Sequence, residues 1–187
     1  MSELRQHHPV QGRRRATADG SLVLEALPDE ARFSLRVGAD HLLACAGAFG
    51  CDMVVDIGTA ASRGSRRSLT LGPDEWFLLA PEGEGDAIAA AFAALGPGVP
   101  HSLVDVGHRS VAIRIGGPGA RDALNSGCPL DLSAIPIGGC TRTVFHKAEI
   151  ILLRLDADDF RLEVVRSFAD YVWSMLERAV DEVGSGG

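Results

Sequence analysis

The sequence predicts an α+β fold in which two related units each carry helices on one face of a sheet. Two short motifs recur in the two halves of the chain. The segment Leu35-Arg36-Val37-Gly38 matches Ile113-Arg114-Ile115-Gly116, and Asp74-Glu75-Trp76-Phe77-Leu78 matches Asp158-Asp159-Phe160-Arg161-Leu162. In each half the first motif precedes a helical stretch, and the second leads from an acidic turn through a strand into another helix. We interpret the recurrence as an internal duplication of a βαββαβ-like, ferredoxin-like unit.

The first half, about residues 33–106, is predicted from the period of its apolar residues and from its glycine and proline breaks. Apolar and polar residues alternate over Phe33–Val37, as in a half-buried strand, and Gly50 ends a helix that begins at Asp40. The segment Ile57–Arg67 contains glycine, serine and three arginines and is predicted to be a loop. The further elements predicted in this half are strands at Ser68–Leu71 and Trp76–Leu79, a helix at Asp86–Leu95 and a strand at His101–Val106.

The second half, about residues 110–183, repeats this order and ends in an amphipathic helix. Phe160, Leu162 and Val164 alternate with polar residues, which predicts a strand with one buried face. The apolar residues after this strand recur at helical steps and form one wide stripe: Phe168, Tyr171, Val172, Met175, Leu176, Ala179, Val180 and Val183. The other predicted elements are a strand at Ser110–Ile115, a helix at Ala120–Ser126, and strands near Thr141–Phe145, Glu149–Leu155 and Phe160–Val165.

The length of the chain, 187 residues, is compatible with one domain that buries about 70% of its unfolded surface. We expect residues 21–187 to form a single compact domain from the two related halves. Residues 1–20 are polar and carry four arginines, which predicts a flexible arm. The alternative is an arm that orders against an acidic neighbour.

The net charge of −7 argues against nucleic acid as a partner, because phosphate binding needs a basic surface. No segment is long and apolar enough to span a bilayer, and the first residues lack the apolar region of a signal peptide. We therefore expect a cytoplasmic protein with neither a membrane nor a nucleic acid as its partner.

The four cysteines predict neither a metal site nor a nucleophile. Cys45, Cys51, Cys128 and Cys140 form no C-x-x-C pair and have no histidine at zinc-finger spacing. Cys45 lies in an apolar helical stretch and is expected to be a small core residue. Cys128 follows a predicted helix, where the helix dipole disfavours a thiolate.

Gly116-Gly117-Pro118-Gly119 lies between a strand and a helix, as a phosphate-binding loop would. The dinucleotide fingerprint needs a glycine where this chain has Asp122, and a P-loop needs a Gly-Lys-Ser/Thr sequence that is absent. Pro118 also removes an amide, while it suits the first turn of a helix. We interpret the segment as a structural turn.

Asp156, Asp158 and Asp159 resemble part of a calcium loop. An EF-hand needs a glycine at the sixth position and a glutamate at the twelfth, where this chain has Arg161 and Ser167. A solvated hairpin turn accounts for these aspartates.

His101 and His108 flank Asp105, and Arg109 follows, which are residue types of acid–base catalysis. No serine or cysteine is placed to complete a catalytic triad, and a structural role is favoured. Accordingly, we assign no catalytic, cofactor-binding or metal-binding residue to this chain.

Arg63, Arg66 and Arg67 leave two interpretations open. They are a charged loop in solvent, or they bind an anion or an acidic subunit.

Trp76 and Trp173, with Phe160 and Tyr171, are expected to anchor the core. The alanine-rich helix Asp86–Leu95 and the wide stripe of the last helix present more apolar surface than one small core needs. An uncovered apolar face would mark a subunit interface.

Several blocks of the chain resemble the gamma subunit of heterotetrameric sarcosine oxidase over roughly Phe33 to Leu176. The blocks are Leu71-Gly72-Pro73-Asp74-Glu75-Trp76, Gly117-Pro118-Gly119-Ala120 through Gly127-Cys128-Pro129-Leu130-Asp131-Leu132, Lys147-Ala148-Glu149-Ile150, and Phe160-Arg161-Leu162-Glu163 through Ser167-Phe168-Ala169-Asp170-Tyr171-Val172-Trp173. The last block is the most specific one. The N-terminal arm and the segment Ile57–Arg67 lie outside the similarity.

The resemblance implies a non-catalytic structural subunit that assembles with alpha, beta and delta subunits. The enzyme of that family demethylates sarcosine oxidatively to glycine and peroxide and passes the one-carbon unit to tetrahydrofolate. FAD, FMN, NAD, tetrahydrofolate and zinc are implied in the other subunits, and none in this chain. The resemblance also implies the fold of the folate-binding aminomethyltransferases.

A second function is compatible with that fold: a stand-alone folate-binding or one-carbon-transfer protein. Such a protein needs an acidic residue that faces the pterin on a pocket wall, and no aspartate or glutamate here is distinguished by its spacing. A weaker third interpretation is a regulatory domain that binds a small molecule.

Overall fold

A computed structural model describes residues 8–185 of the chain, with the side chain of residue 185 left out. Its strands are β1 (Arg14–Ala16), β2 (Val23–Ala26), β3 (Glu30–Val37), β4 (Ala60–Arg63), β5 (Arg66–Gly72), β6 (Glu75–Pro81), β7 (His101–Asp105), β8 (Ser110–Gly116), β9 (Cys140–Phe145), β10 (Ala148–Asp156) and β11 (Asp159–Val165). Its helices are α1 (Leu42–Phe49), α2 (Gly85–Ala93), α3 (Ala120–Asn125) and α4 (Ala169–Ser185).

The described residues divide into two compact units. The terminal unit comprises residues 8–29, 108–137 and 142–185, and the inserted unit comprises residues 30–107 and 138–141. The grouping of residues 21–187 into one domain stays a prediction.

The two sheets have the same arrangement of strands. The inserted unit has the order β4-β5-β6-β3-β7, and the terminal unit has the order β9-β10-β11-β8-β2, with β1 added beside β2. In both units the helices follow the two central strands, α1 and α2 after β3 and β6, and α3 and α4 after β8 and β11. The predicted duplication of a βαββαβ-like unit is confirmed. The strand β2 precedes its unit in the chain, whereas its counterpart β7 follows.

The core of the terminal unit is built around α4. Val172, Trp173, Leu176 and Val180 of this helix are at most 1% exposed and pack in one apolar cluster with residues of β2, β8, β10 and β11. Helical spacing puts these four residues on one side of α4, so the predicted stripe is confirmed for its central part. Phe168 does not belong to the core, because it lies in the turn before α4 and is 45% exposed.

The core of the inserted unit is smaller. Trp76 of β6 is buried, and its indole Nε1 donates to the carbonyl oxygen of Val54 at 3.0 Å. Cys45 and Phe49 of α1 are fully buried in the same cluster, as predicted for Cys45. The helix ends at Gly50, whose φ of 72° lies in the left-handed region that glycine adopts without strain.

The sequence predicted a loop at Ile57–Arg67, and this prediction is wrong. Residues Ala60–Arg63 form β4, which pairs antiparallel with β5 through a tight turn at Gly64. Gly64 has a φ of +60°, and this turn brings Arg63 opposite Arg66. Residues Ala60–Arg63 lack the apolar alternation of a half-buried strand, so their pattern did not predict this edge strand.

The predicted flexible arm at residues 1–20 also differs from the structure where it is described. Arg14–Ala16 form β1 against β2, and Val10 is fully buried in the terminal core. Arg13 and Arg15 form ion pairs with Asp170 and Asp181 of α4, at 2.8 and 2.7 Å. Residues 1–7 lie outside the described residues, so the prediction for them is neither confirmed nor contradicted.

No helix in the range 8–185 is both long enough and apolar enough to cross a membrane.

Candidate functional site

The side chains that suggested acid–base chemistry are engaged in local structural contacts. The Nδ1 atom of His101 lies 2.7 Å from the carbonyl oxygen of Val99, and its ring packs against Phe92. The carboxylate of Asp105 accepts the backbone N–H of Gly107 at 2.8 Å. Both polar contacts are made to nearby main-chain groups, which is typical of a structural role.

His108 and Arg109 lie in a short turn before β8, in the terminal unit. The carbonyl oxygen of His108 accepts a hydrogen bond from Arg166 Nε at 2.7 Å, so this backbone anchors the segment that leads into α4. The contact involves the main chain of His108 and gives its imidazole no chemical role.

The glycine-rich segment before α3 is shaped by close backbone packing. Gly117 has a φ of 117°, and a Cβ atom there would lie 2.3 Å from the carbonyl oxygen of Ser21. A Cβ atom on Gly119 would lie 2.8 Å from Cγ1 of Val183. The glycines are therefore required by contacts within the protein, which supports the structural turn and not a phosphate loop.

The aspartates of the β10–β11 turn hold arginines. Asp158 accepts from Arg121 Nε at 2.8 Å, and Asp159 forms a two-pronged pair with Arg114. The equivalent pair occurs in the inserted unit, where Arg36 donates to Glu75 at 2.9 Å. The hairpin turn predicted from the sequence is confirmed. By ion pairs, Asp159 joins β11 to its neighbour β8, and Asp158 joins the turn to α3.

The three arginines of the β4–β5 hairpin have different surroundings. Arg66 donates to the carbonyl oxygen of Phe49, pairs with Glu84 at 2.7 Å and lies over the ring of Phe49. Its charge therefore caps the negative end of α1. Arg63 is exposed and Arg67 is half-buried, and whether either binds an anion stays open.

The four cysteines are all buried and reduced. Burial raises the pKa of the thiols of Cys45 and Cys51, and it raises the pKa of Cys140 to about 11. A raised pKa disfavours the thiolate that a nucleophile or a metal ligand must provide. Between residues 8 and 185 no three His, Cys, Asp or Glu side chains are grouped so that they could hold a metal ion.

The structure adds a buried ion pair that the alternating pattern of β11 did not predict. Arg161 and Glu163 are 3% and 4% exposed, although the period of the strand placed both on a solvent face. Arg161 donates to Glu163 Oε1 through Nε at 2.7 Å and through a second nitrogen at 2.5 Å. The sheet of the terminal unit is thus buried on both faces along β11. The sequence does not indicate the burial of these two residues, because a polar residue between apolar ones is typical of an exposed position.

A second arginine, Arg154, binds main-chain oxygen atoms of the long segment that precedes β9. Arg154 of β10 donates to the carbonyl oxygens of Ile135, Asp156 and Ala157 and lies over the ring of Phe160. These contacts tie the segment before β9 to the β10–β11 turn. A planar guanidinium with five donors is suited to such a set of acceptors.

Comparison with known proteins shows one consistent family. Residues 37–182 match the model of the sarcosine oxidase, gamma subunit family. The chain is 33% identical to sarcosine oxidase subunit gamma of Arthrobacter sp over 95% of its own length and 91% of that protein. It is 27% identical to sarcosine oxidase subunit gamma of Corynebacterium sp. (strain P-1), with the same coverage of 95% and 91%.

Two solved structures share the fold. A chain of heterotetrameric sarcosine oxidase from Corynebacterium sp. U-96 in complex with pyrrole 2-carboxylate superposes with a TM-score of 0.80 and 24% identity, over 89% of this chain and 87% of that chain. The glycine cleavage system aminomethyltransferase T of Bartonella henselae superposes with a TM-score of 0.64 and 13% identity, over 82% of this chain and 44% of that chain. The expected likeness to the aminomethyltransferase fold is confirmed.

Proposed function

The chain belongs to the sarcosine oxidase gamma subunit family, and from this premise we propose that it is a non-catalytic structural subunit of a heterotetrameric sarcosine oxidase. The observation that carries the proposal is the 33% identity to the Arthrobacter gamma subunit, which extends over 95% of this chain. Similarity along nearly the whole of both chains supports a shared role and not merely a shared fold.

In the proposed assembly the chain binds alpha, beta and delta subunits. The complete enzyme would convert sarcosine to glycine and peroxide and pass the one-carbon unit to tetrahydrofolate. FAD, FMN, NAD, tetrahydrofolate and zinc would be held by the other subunits, and this chain would act in the cytoplasm.

The chemistry of the singled-out residues supports a structural role. The ring nitrogen of His101 and the carboxylates of Asp105, Asp158 and Asp159 each contact a nearby backbone or arginine group. The raised pKa of Cys140 keeps its thiol protonated near neutral pH. A cysteine nucleophile needs a lowered pKa, so the raised pKa of Cys140 does not favour such a role.

The proposal is tested by producing the chain together with the alpha, beta and delta subunits of its own source. With an affinity tag on the alpha subunit, we expect this chain to elute with the other three in equal amounts and the assembled enzyme to form peroxide from sarcosine. Leaving this chain out should lower the yield of assembled enzyme.

The folate-binding alternative predicts a different behaviour of the purified chain. A stand-alone folate-binding protein should be monodisperse, and its melting temperature should rise when tetrahydrofolate is added. A subunit should aggregate non-specifically at high concentration without its partners, and its melting temperature should not shift with tetrahydrofolate. Conversion of sarcosine by the chain alone, or a tight complex with a flavin or folate, would contradict the structural role.

A further inference from the structure

The solvent-facing side of the helices in the inserted unit is almost without charge. Asp86 is the one charged residue in the sequences of α1 and α2. On α1, Leu43 is 88% exposed, which is the largest exposure of any large apolar residue in the described range. The exposed residues of the two helices other than Asp86 are Leu43, Gly47, Ala87, Ala89, Ala90 and Ala93, and we call this surface the alanine face.

The duplicated unit provides an internal comparison for this surface. By topology, α2 corresponds to α4 of the terminal unit, since the strands that they follow, β6 and β11, occupy equivalent positions in the two sheets. The exposed residues of α4 include Asp170, Arg178 and Asp181, and the two aspartates pair with Arg13 and Arg15 near the start of the chain. The corresponding helix in the same fold is therefore charged where it meets water. An apolar surface in the other copy indicates that it meets something else.

Carboxylates border the alanine face at both ends. Asp40 lies in the short turn that leads into α1, Glu82 lies in the turn that leads into α2, and Asp86 is in the first turn of α2. Because β3 and β6 are antiparallel and each leads into one of these helices, the two helices begin at opposite ends of the sheet. The three side chains are exposed, and within the described range none of them forms an ion pair. By contrast, Glu84 is paired with Arg66.

We infer that the alanine face is the surface by which this chain docks to another subunit of the oxidase, on an apolar patch that is flanked by arginine or lysine side chains. This inference rests on the proposed function. The alanine and glycine residues let a partner approach the helix backbones closely, and Leu43 supplies an apolar anchor. Basic groups on the partner would neutralise the carboxylates at both ends.

A second copy of this chain fits the surface poorly. Two alanine faces related by a two-fold axis would bring the same acidic borders close to each other, with no basic residue from either helix to pair with them. Like charges across an interface oppose association.

The test uses the four subunits produced together, with the tag on the alpha subunit and with single changes in this chain. Leu43→Glu and Ala90→Glu should each lower the amount of this chain that co-purifies about tenfold, because an unpaired carboxylate would be buried in an apolar contact. The matched control is Ser174→Glu on the exposed side of α4, which should co-purify as the unchanged chain does. A fourth variant, Asp86→Lys, should also weaken co-purification, because it opposes the basic border of the partner.

The melting temperature of each full-length variant is measured in parallel, since all four changed positions are exposed and the changes should not affect folding. If the unchanged chain does not co-purify with the other subunits, the proposed function fails. If the unchanged chain co-purifies and the two alanine-face variants do so equally well, only the present inference is overturned. A homodimer of the unchanged chain that Leu43→Glu converts to a monomer would assign the face to a second copy and would also overturn it.

Discussion

At the scale of single residues, the main feature is the burial of charged side chains. Arg32, Arg161 and Glu163 are at most 4% exposed, on strands β3 and β11. Arg32 donates to the backbone oxygen of Glu30, and Arg161 and Glu163 bind each other. A buried ion pair adds little net stability, but removing one partner leaves an uncompensated charge in a medium of low polarity.

The first prediction follows from the cost of removing one partner of a buried ion pair. Glu163→Ala should lower the free energy of unfolding by about 3–5 kcal/mol, because Arg161 would stay buried without its carboxylate. The measurement is urea unfolding followed by tryptophan fluorescence. The double variant Arg161→Met/Glu163→Leu removes both charges and should recover most of the loss. Equal destabilisation in the double variant would show that the ion pair is not the source of the effect.

The buried thiol of Cys140 predicts a pH dependence. Its Sγ donates to the carbonyl oxygen of Thr59 at 3.2 Å, and burial raises its pKa from 9.0 to about 11. Between these values the unfolded chain releases the thiol proton while the folded protein retains it. Its contribution to stability is therefore complete below pH 9.0 and is lost as the pH rises to about 11.

We expect the free energy of unfolding to fall between about pH 9 and about pH 11 and to fall less steeply in Cys140→Ala. The comparison of the two proteins separates this thiol from other groups that titrate in the range. Parallel pH profiles would mean that the folded and unfolded thiols release their protons at the same pH.

At the scale of elements, α4 is the main helix of the terminal unit. It has 17 residues, and its buried side contacts the sheet of that unit while its exposed side pairs with the N-terminal arginines. The helices of the inserted unit are shorter, with eight and nine residues, and bury fewer side chains. Most of the stability of such helices comes from the packing of the apolar side and not from intrinsic propensity.

Trp173 provides the sharpest test of α4. It is 1% exposed in the terminal core, so Trp173→Ala should destabilise the chain by about 3–5 kcal/mol through lost packing and a residual cavity. Thermal unfolding and the yield of the four-subunit complex measure the loss. Ser174→Ala, at the neighbouring exposed position, serves as the control and should change both only slightly. An unchanged melting temperature in Trp173→Ala would contradict the packing of this residue.

At the scale of the whole molecule, duplication leaves one copy of the unit with charged outer helices and the other with an apolar outer surface. A structural subunit needs a stable fold and a surface for its partners, and it needs no reactive group of its own. The matching family model covers residues 37–182, which include parts of both units. The proposed role therefore belongs to the chain as a whole and to no single cluster of residues.

This role predicts that a candidate base can be removed without loss of catalysis. In the reconstituted four-subunit enzyme, His108→Ala should leave the rate of peroxide formation from sarcosine unchanged. The matched variant His101→Ala should behave in the same way. A loss of about 10²–10⁴-fold, as is typical when a general acid or base is removed, would show that this chain contributes to the chemistry.

Much of the architecture and the family were predictable from local patterns. The period of Phe33–Val37, the break at Gly50 and the stripe of α4 predicted their elements because strands and helices each place side chains at a fixed repeat. The recurrence of Leu35–Gly38 at Ile113–Gly116 predicted two units of one design. Trp76 and Trp173 were recognised as core residues because large aromatic side chains gain most from burial.

The tertiary structure alone decided which distant segments meet and which surfaces are left in water. It placed β2, from the start of the chain, beside β8, turned Ala60–Arg63 into an edge strand, and buried Arg161 with Glu163. It also left Leu43 exposed in an apolar helix whose sequence alone is typical of a buried one. The physical reason is that burial and strand pairing depend on contacts between residues far apart in the chain, whereas the repeat of a pattern reports only the conformation of its own segment.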